Sequence, residues 1–209
     1  QTTRSRKSCC QHPPGERLRK QQALETKARI YQTALSLMEK KNYQSITIEE
    51  ISKSAGVSVG AFYHYFKSKN DIFFEIYQEA DRYFEEHVAV ELQAPPGLPR
   101  ILEYFAHYAG YCQRVGLDTV KSLYNPDNKL FIKYDRFMLQ LLKQVVSDAQ
   151  TRQLLSTTLD AQQITEYLLI AARGIVCDWC LHDGHYDLND AMQRYIARLL
   201  PIFMPSTES

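Results

Sequence analysis

The stretch GVSVGAFYHYF, Gly56 to Phe66, sets two glycines and an alanine beside four aromatic rings, Phe62, Tyr63, Tyr65 and Phe66. Glycine weakens a helix interior, and a solvated helix has no use for so many rings. The residues around the stretch explain the mixture. Thr47 is followed three positions later by Glu50, a capping box that opens a short helix over 47–54. Ala55-Gly56-Val57 makes a tight turn, with Gly56 able to take positive φ at little cost. Ser58 can cap a further helix over 58–65. Two short helices about a glycine turn form a helix-turn-helix, whose second helix enters the major groove of DNA.

That reading gives each residue a task. Val59, Gly60 and Ala61 are small, so the helix can come close to base edges, while Val57, Phe62 and Phe66 anchor its other side. Tyr63 and Tyr65 flank it with hydroxyls suited to phosphates. Lys69, at the start of the next helix, adds a charge beside free backbone N–H groups. Periodicity alone also lets Val59 point inward with Phe62. A purely structural helix corner with an aromatic plug is the competing reading.

Charge favours the first of these. Residues 1–70 carry 13 Lys/Arg against 5 Asp/Glu, and residues 71–209 carry 12 against 19, within a net charge of +1. A basic end on an acidic body points to a polyanion met by the first part only. Hydrophobic residues make up 44% of the 209, Gly and Pro number 8 each, and no long apolar/polar alternation occurs, so an all-α protein is expected. Five cysteines, unevenly spread, make a poor disulfide framework and fit a reducing, cytoplasmic setting. No segment reaches the length of a membrane span, and the basic first residues lack the apolar run of a secretory signal.

Working outward, the first helix runs from Arg17 or Gln21 to Lys40, and a long helix from Lys69 to about Val90. Beyond the Ala94-Pro95-Pro96-Gly97 loop, helices are expected over 98–115, 118–124, 128–149, 160–182 and 187–204. Three parts follow: a flexible basic tail over 1–16, where Pro13-Pro14-Gly15 argues against helix, a helix-turn-helix domain over 17–68, and a helical body over 69–209.

The stretch TIEEISKSAGVSVGAFYHYFKSKNDIF (47–73) resembles the DNA-binding signature of the TetR family of regulators. The shared features are Thr at the helix start, AGVS at the turn, Gly-x-x-Tyr in the second helix, and aromatic-Phe-x-x-Lys leading onward. GIVCDWCLHDGHYDL (174–188) is also similar to the penultimate helix and turn of some members. The resemblance implies a homodimer on a palindromic double-stranded operator, most simply a repressor released by a small-molecule effector. Thr47 would cap its helix and touch a phosphate, Ser58, Val59, Gly60 and Ala61 would face bases, and Tyr63, Tyr65 and Lys69 would hold the backbone. Ser52 stands where the family usually has Ala. Because residues 59–61 offer no side-chain hydrogen bonds, readout would lean on apolar contact and DNA shape, with His64 or Thr47 carrying polar reading.

In the body, Tyr104, His107, Tyr108, Tyr111, Tyr134, Tyr167 and Trp179 mix rings with polar tips, as a ligand pocket or an aromatic-rich core would, and with Met138 they are the ligand-binding candidates. The resemblance favours a pocket for a fairly apolar molecule, aromatic ones included, that swings the long helix and changes the spacing of the reading heads. Ile164, Leu168, Ile175, Met192, Tyr195, Leu199 and Phe203 form stripes on the last two helices, either core or a four-helix dimer interface. Cys177, Cys180, His182 and His185 invite a metal or redox reading. The histidines follow too closely for a zinc finger, and His182 turns about 200° from Cys180 on a helix. No metal or cofactor is therefore expected; a redox- or metal-responsive regulator using Cys177 and Cys180 stays an alternative, as does a helical interaction protein that binds no DNA. No G-x-S-x-G, phosphate-binding glycine loop or H-E-x-x-H occurs, so an enzyme is not expected.

Overall fold

The computed structural model describes residues 14–41, 43–124 and 136–205, and every regular element among them is helical. Helix α1 runs Pro14–Met38, and a 3₁₀ turn, Tyr43–Ser45, leads into α2, Ile48–Ala55, and α3, Val59–Tyr65. Helix α4, Asp71–Tyr83, passes through a π-helical turn at Phe84–Val88 into the short α5, Ala89–Glu91. The body then comprises α6, Leu98–Val115, α7, Leu117–Leu123, α8, Phe137–Thr151, α9, Ala161–Leu181, and α10, Leu188–Leu199, closed by a 3₁₀ turn at Leu200–Phe203. Among the described residues no helix is long and apolar enough to cross a membrane.

Several boundaries depart from expectation for local reasons. Helix α1 starts earlier, at Pro14, because proline at a first helical position has no N–H to lose. At α2, Thr47 Oγ1 accepts from the Glu50 N–H at 3.1 Å, but the Glu50 carboxylate pairs with Lys41 rather than returning to the cap. The reciprocal capping box is complete instead at α9, between Asp160 and Gln163. The single long helix expected to Val90 is broken in register, with the Ala89 N–H reaching back five residues to the Phe84 carbonyl.

Two apolar clusters organise the chain. The first holds Ile30, Ala34 and Met38 from α1, Ile51 and Ala55 from α2, Phe62 and Phe66 at α3, and Ile72 and Ile76 from α4. The second holds Phe84 and Val88 from the π turn, Tyr104, Phe105 and Tyr108 from α6, and the inner faces of α8, α9 and α10. Helix α4 and its continuation thus run through both. A bidentate ion pair fastens α4 to α8: Arg136 Nε and Nη2 donate to the two Asp81 carboxylate oxygens at 3.2 and 3.3 Å. Asp81 also accepts from the Met138 N–H at 3.2 Å.

Candidate nucleic-acid interface

The turn between α2 and α3 is built by backbone geometry. Gly56 sits at φ 66°, ψ 37°, its N–H bonding the Lys53 carbonyl while the Val57 N–H bonds Ser52 at 2.9 Å. This is a Schellman closure, which a left-handed residue makes possible. A Cβ on Gly56 would meet nothing within 4 Å, so it is the positive φ that asks for glycine. Ser58 Oγ accepts from the Ala61 N–H at 3.1 Å and opens α3 as expected.

Helix α3 has two contrasting sides. Phe62 and Phe66 are fully buried, their rings 5.6 Å apart, and Val57 packs beside them. Ser58, Gly60, Tyr63 and His64 are exposed, Val59, Ala61 and Tyr65 half-buried, and Thr47 is exposed beside them at the head of α2. A Cβ on Gly60 would meet only Ser58 Oγ, at 3.8 Å. Nothing inside the chain therefore calls for glycine on this face of a helix, where even in the first turn it is a poorer helix former than alanine, by at most about 1 kcal/mol.

Lys69, expected to hold the phosphate backbone from the start of α4, is engaged within the chain. Its ammonium donates to the carbonyls of Tyr43 and Ile46, each at 2.9 Å, and to Gln44 at 3.4 Å, over the Tyr43 ring. Burial holds it below the usual lysine range. Its donors are spent on the 3₁₀ turn that leads into Thr47, so it positions α2. The residue that sequence reasoning passed over is Asp71, whose carboxylate accepts from the Lys67 N–H at 2.8 Å and the Ser68 hydroxyl at 2.9 Å. The spacing Ser68-x-x-Asp71 was a legible signal for it.

Ser52, at the position where a small residue was required, is buried with its hydroxyl unpartnered.

The ligand-binding candidates of the body do not form one group. Tyr108, Tyr111 and Met138 line a small cavity of about 50 Å³ between α4, α6, α7 and α8, whose walls also include Ile76, Tyr77 and Phe84 from α4 and its π turn. Tyr104 lies behind this wall, fully buried, donating to the Met138 carbonyl at 2.8 Å. His107 is half-buried on α6 near Glu91. Tyr167 and Trp179 do not join them: Tyr167 is 56% exposed on α9 against Phe203, and Trp179 donates its indole N–H to the Tyr186 carbonyl at 3.1 Å. Tyr134 lies outside the described residues. Arg136, at the cavity rim, was missed because its partner Asp81 is far away in sequence and no local pattern joins them.

The stripes read from periodicity as either core or dimer interface fall mostly to the core. Ile164, Leu168, Ile175, Met192 and Phe203 are buried in the subunit's own core and Leu199 is half-buried, leaving Tyr195 exposed. Helix α9 is apolar on two sides, so periodicity could not choose between them. Its outward side carries Tyr167, Ile170, Gly174, Cys177 and Leu181, at alternating spacings of three and four.

Among the described residues no group of three or more His, Cys, Asp or Glu could hold a metal ion. Burial pushes the Cys112 thiol up to about 12 and the Cys180 thiol up to about 11, which leaves both protonated and unreactive.

Comparisons with known proteins bear on the same segment. Residues 30–76 match the family described as bacterial regulatory proteins, tetR family. Over 81 residues the chain is 41% identical to the HTH-type transcriptional regulator AcrR of Shigella flexneri, a match covering 38% of this chain and 37% of that protein. The chain thus spans well under half the length of the first curated relatives it matches. It is 24% identical to the probable acrEF/envCD operon repressor of Escherichia coli K12 over 89% of this chain and 90% of that one. The fold is similar to that of FadR from Bacillus subtilis, solved in complex with stearoyl-CoA, with a TM-score of 0.64, 21% identity, and coverage of 83% and 97%. The helix-turn-helix segment of this all-helical chain, residues 30–76, therefore matches the tetR family of bacterial regulatory proteins.

Proposed function

We propose that the chain is a sequence-specific DNA-binding repressor. A reading head over 17–68 binds a palindromic operator, and a body over 69–209 pairs two copies and receives a small effector. The observation that carries this is the exposed side of α3, where Gly60 has no intramolecular reason to be glycine. A surface that must approach base edges closely supplies the reason. Ser58, Val59, Gly60 and Ala61 would then face the groove. Thr47, Tyr63, His64 and Tyr65 would border it, and Lys69 would act by fixing α2. A cytoplasmic setting follows from a DNA partner.

The outward stripe of α9 gives a second copy its seat. A Cβ on Gly174, mid-stripe, would meet nothing within 4 Å, so this side of the helix too is left open for a close neighbour. Ile170→Arg should convert the dimer to monomer in sedimentation.

For the effector, the cavity is far smaller than the ~150 Å³ that holds a benzene ring. Entry must therefore displace its walls, and α4 supplies Ile76, Tyr77 and Ala80 of them. Because α4 also carries the head's core residue Ile72, displacement there moves the head. The Arg136 charge is already neutralised by Asp81, and the remaining lining is mostly apolar, with the Tyr108 and Tyr124 hydroxyls 3.3 Å apart. A compact, apolar or aromatic molecule with one hydroxyl fits this chemistry better than a long acyl chain.

The test is selection from random duplex DNA followed by sequencing. Enrichment of a palindrome with half-sites about one helical turn apart is expected. Recovery of sequence-blind binding alone would overturn the proposal.

A further inference from the structure

The basic charge of the N-terminal part is not where the helix-turn-helix is. Residues 1–29 carry 8 Lys/Arg against 2 Asp/Glu, while residues 30–70 carry only 5 against 3. The family match begins at residue 30, which is also the first buried residue of α1, Ile30. Helix α1 nevertheless starts at Pro14, so roughly 24 Å of helix precedes the head's core. Leu18, Arg19, Lys20, Gln21, Gln22 and Leu24 along it are all exposed. An isolated helix of this length is marginal in water, and nothing in the subunit's core needs it.

Where this extension leaves the head is set by two contacts. Arg29 Nε donates to the Ala55 carbonyl, at the end of α2, at 3.0 Å. Lys27 pairs with Glu75 and lies 5.6 Å from the centre of the Phe66 ring, just past the end of α3. The extension therefore departs from the ends of the two helices that form the reading motif. Lys20 lies two turns further out, roughly 10 Å from Lys27 along the helix axis.

We propose that the N-terminal half of α1 is a second DNA-contacting surface, which lies along the phosphate backbone outside each half-site with Arg19 and Lys20 as its contacts. This rests on the DNA reading of α3 for the place of contact, but not for the charge. Leu18 and Leu24 alone do not make the apolar face that would seat the helix on a membrane. A phosphate-tracking helix adds affinity and salt dependence without sequence preference, a share the nearly balanced 30–70 segment is poorly equipped to supply.

The experiment compares the native chain with Arg19→Gln/Lys20→Gln on the selected operator, between 50 and 200 mM salt. The native chain should lose roughly tenfold more affinity over that range than the variant, as two phosphate contacts require. Both should select the same sequence. Trimming the duplex to the outer edges of the half-sites should remove the difference, and Lys143→Gln on α8 should behave as native. Equal salt dependence of native and variant would overturn the proposal, as would a variant whose only loss is sedimentation with anionic vesicles. If no operator is selected, the same comparison on random duplex still reads the extension: a retained difference supports it while the repressor reading fails.

Discussion

The head and the body are both helical, but they are held in shape at different ranges. In the head, the decisive contacts are a few residues apart: Thr47 to Glu50, Gly56 and Val57 back to α2, Ser58 to Ala61. In the body they join distant segments: Arg136 to Asp81, Tyr104 to Met138, Lys121 to Asp183. The turn and caps of the head are thus set by nearby residues, while Lys69 and the α1 core residues hold them from further along the chain. The body is a shape that exists only once several helices have packed. A regulator needs both kinds, since a reading surface must be constant and a response must come from packing that can rearrange.

The contrast can be broken most severely at Phe62. Truncation to Ala should cost about 3–5 kcal/mol, because the ring is fully buried and its cavity cannot be refilled locally. Thermal unfolding followed at the head should shift down strongly, and DNA binding should be lost with it. An unchanged transition would mean that the body, not the head's core, holds α3.

Asp81→Asn removes one half of the α4–α8 fastening and leaves Arg136 without its counter-charge. We expect a loss of roughly 2–3 kcal/mol in chemical denaturation. Operator affinity should become less responsive to effector, because α4 is then no longer held by α8. A stable variant with native response would place the coupling elsewhere.

Gly60→Ala separates stability from function. The variant should be more stable by at most about 1 kcal/mol, since the site is open and alanine is the better helix former even in a first turn. Its operator affinity should nevertheless fall about tenfold. Undiminished binding would show that DNA does not approach this face closely.

Ser52→Ala should give the smallest change, a gain of about 1 kcal/mol with DNA affinity untouched, because a buried hydroxyl without a partner is removed. A loss of stability would show that the hydroxyl is satisfied in solution.

How much was legible follows the same division. The turn at Gly56, the caps at Thr47 and Ser58, and the burial of Phe62 and Phe66 were readable, because each depends on residues within one or two turns. The engagement of Lys69 with the turn before α2 was not legible, because its acceptors lie more than twenty residues back in the chain. Tyr167 and Trp179 looked like Tyr108 and Tyr111 in sequence. Only packing sent the first pair to the outside and the Tyr186 loop, and the second to the cavity.

By itself the sequence determined that the chain is helical, that a glycine turn joins two short helices, and that one of them hides rings and shows small residues. Spacing and capping chemistry act within a few residues and need no other segment. The tertiary structure alone decided which side of α9 faces out, which tyrosines share a cavity, and that α4 passes through both cores. Those outcomes depend on helices far apart in the chain competing to cover one another, and no local pattern records which of two apolar faces wins.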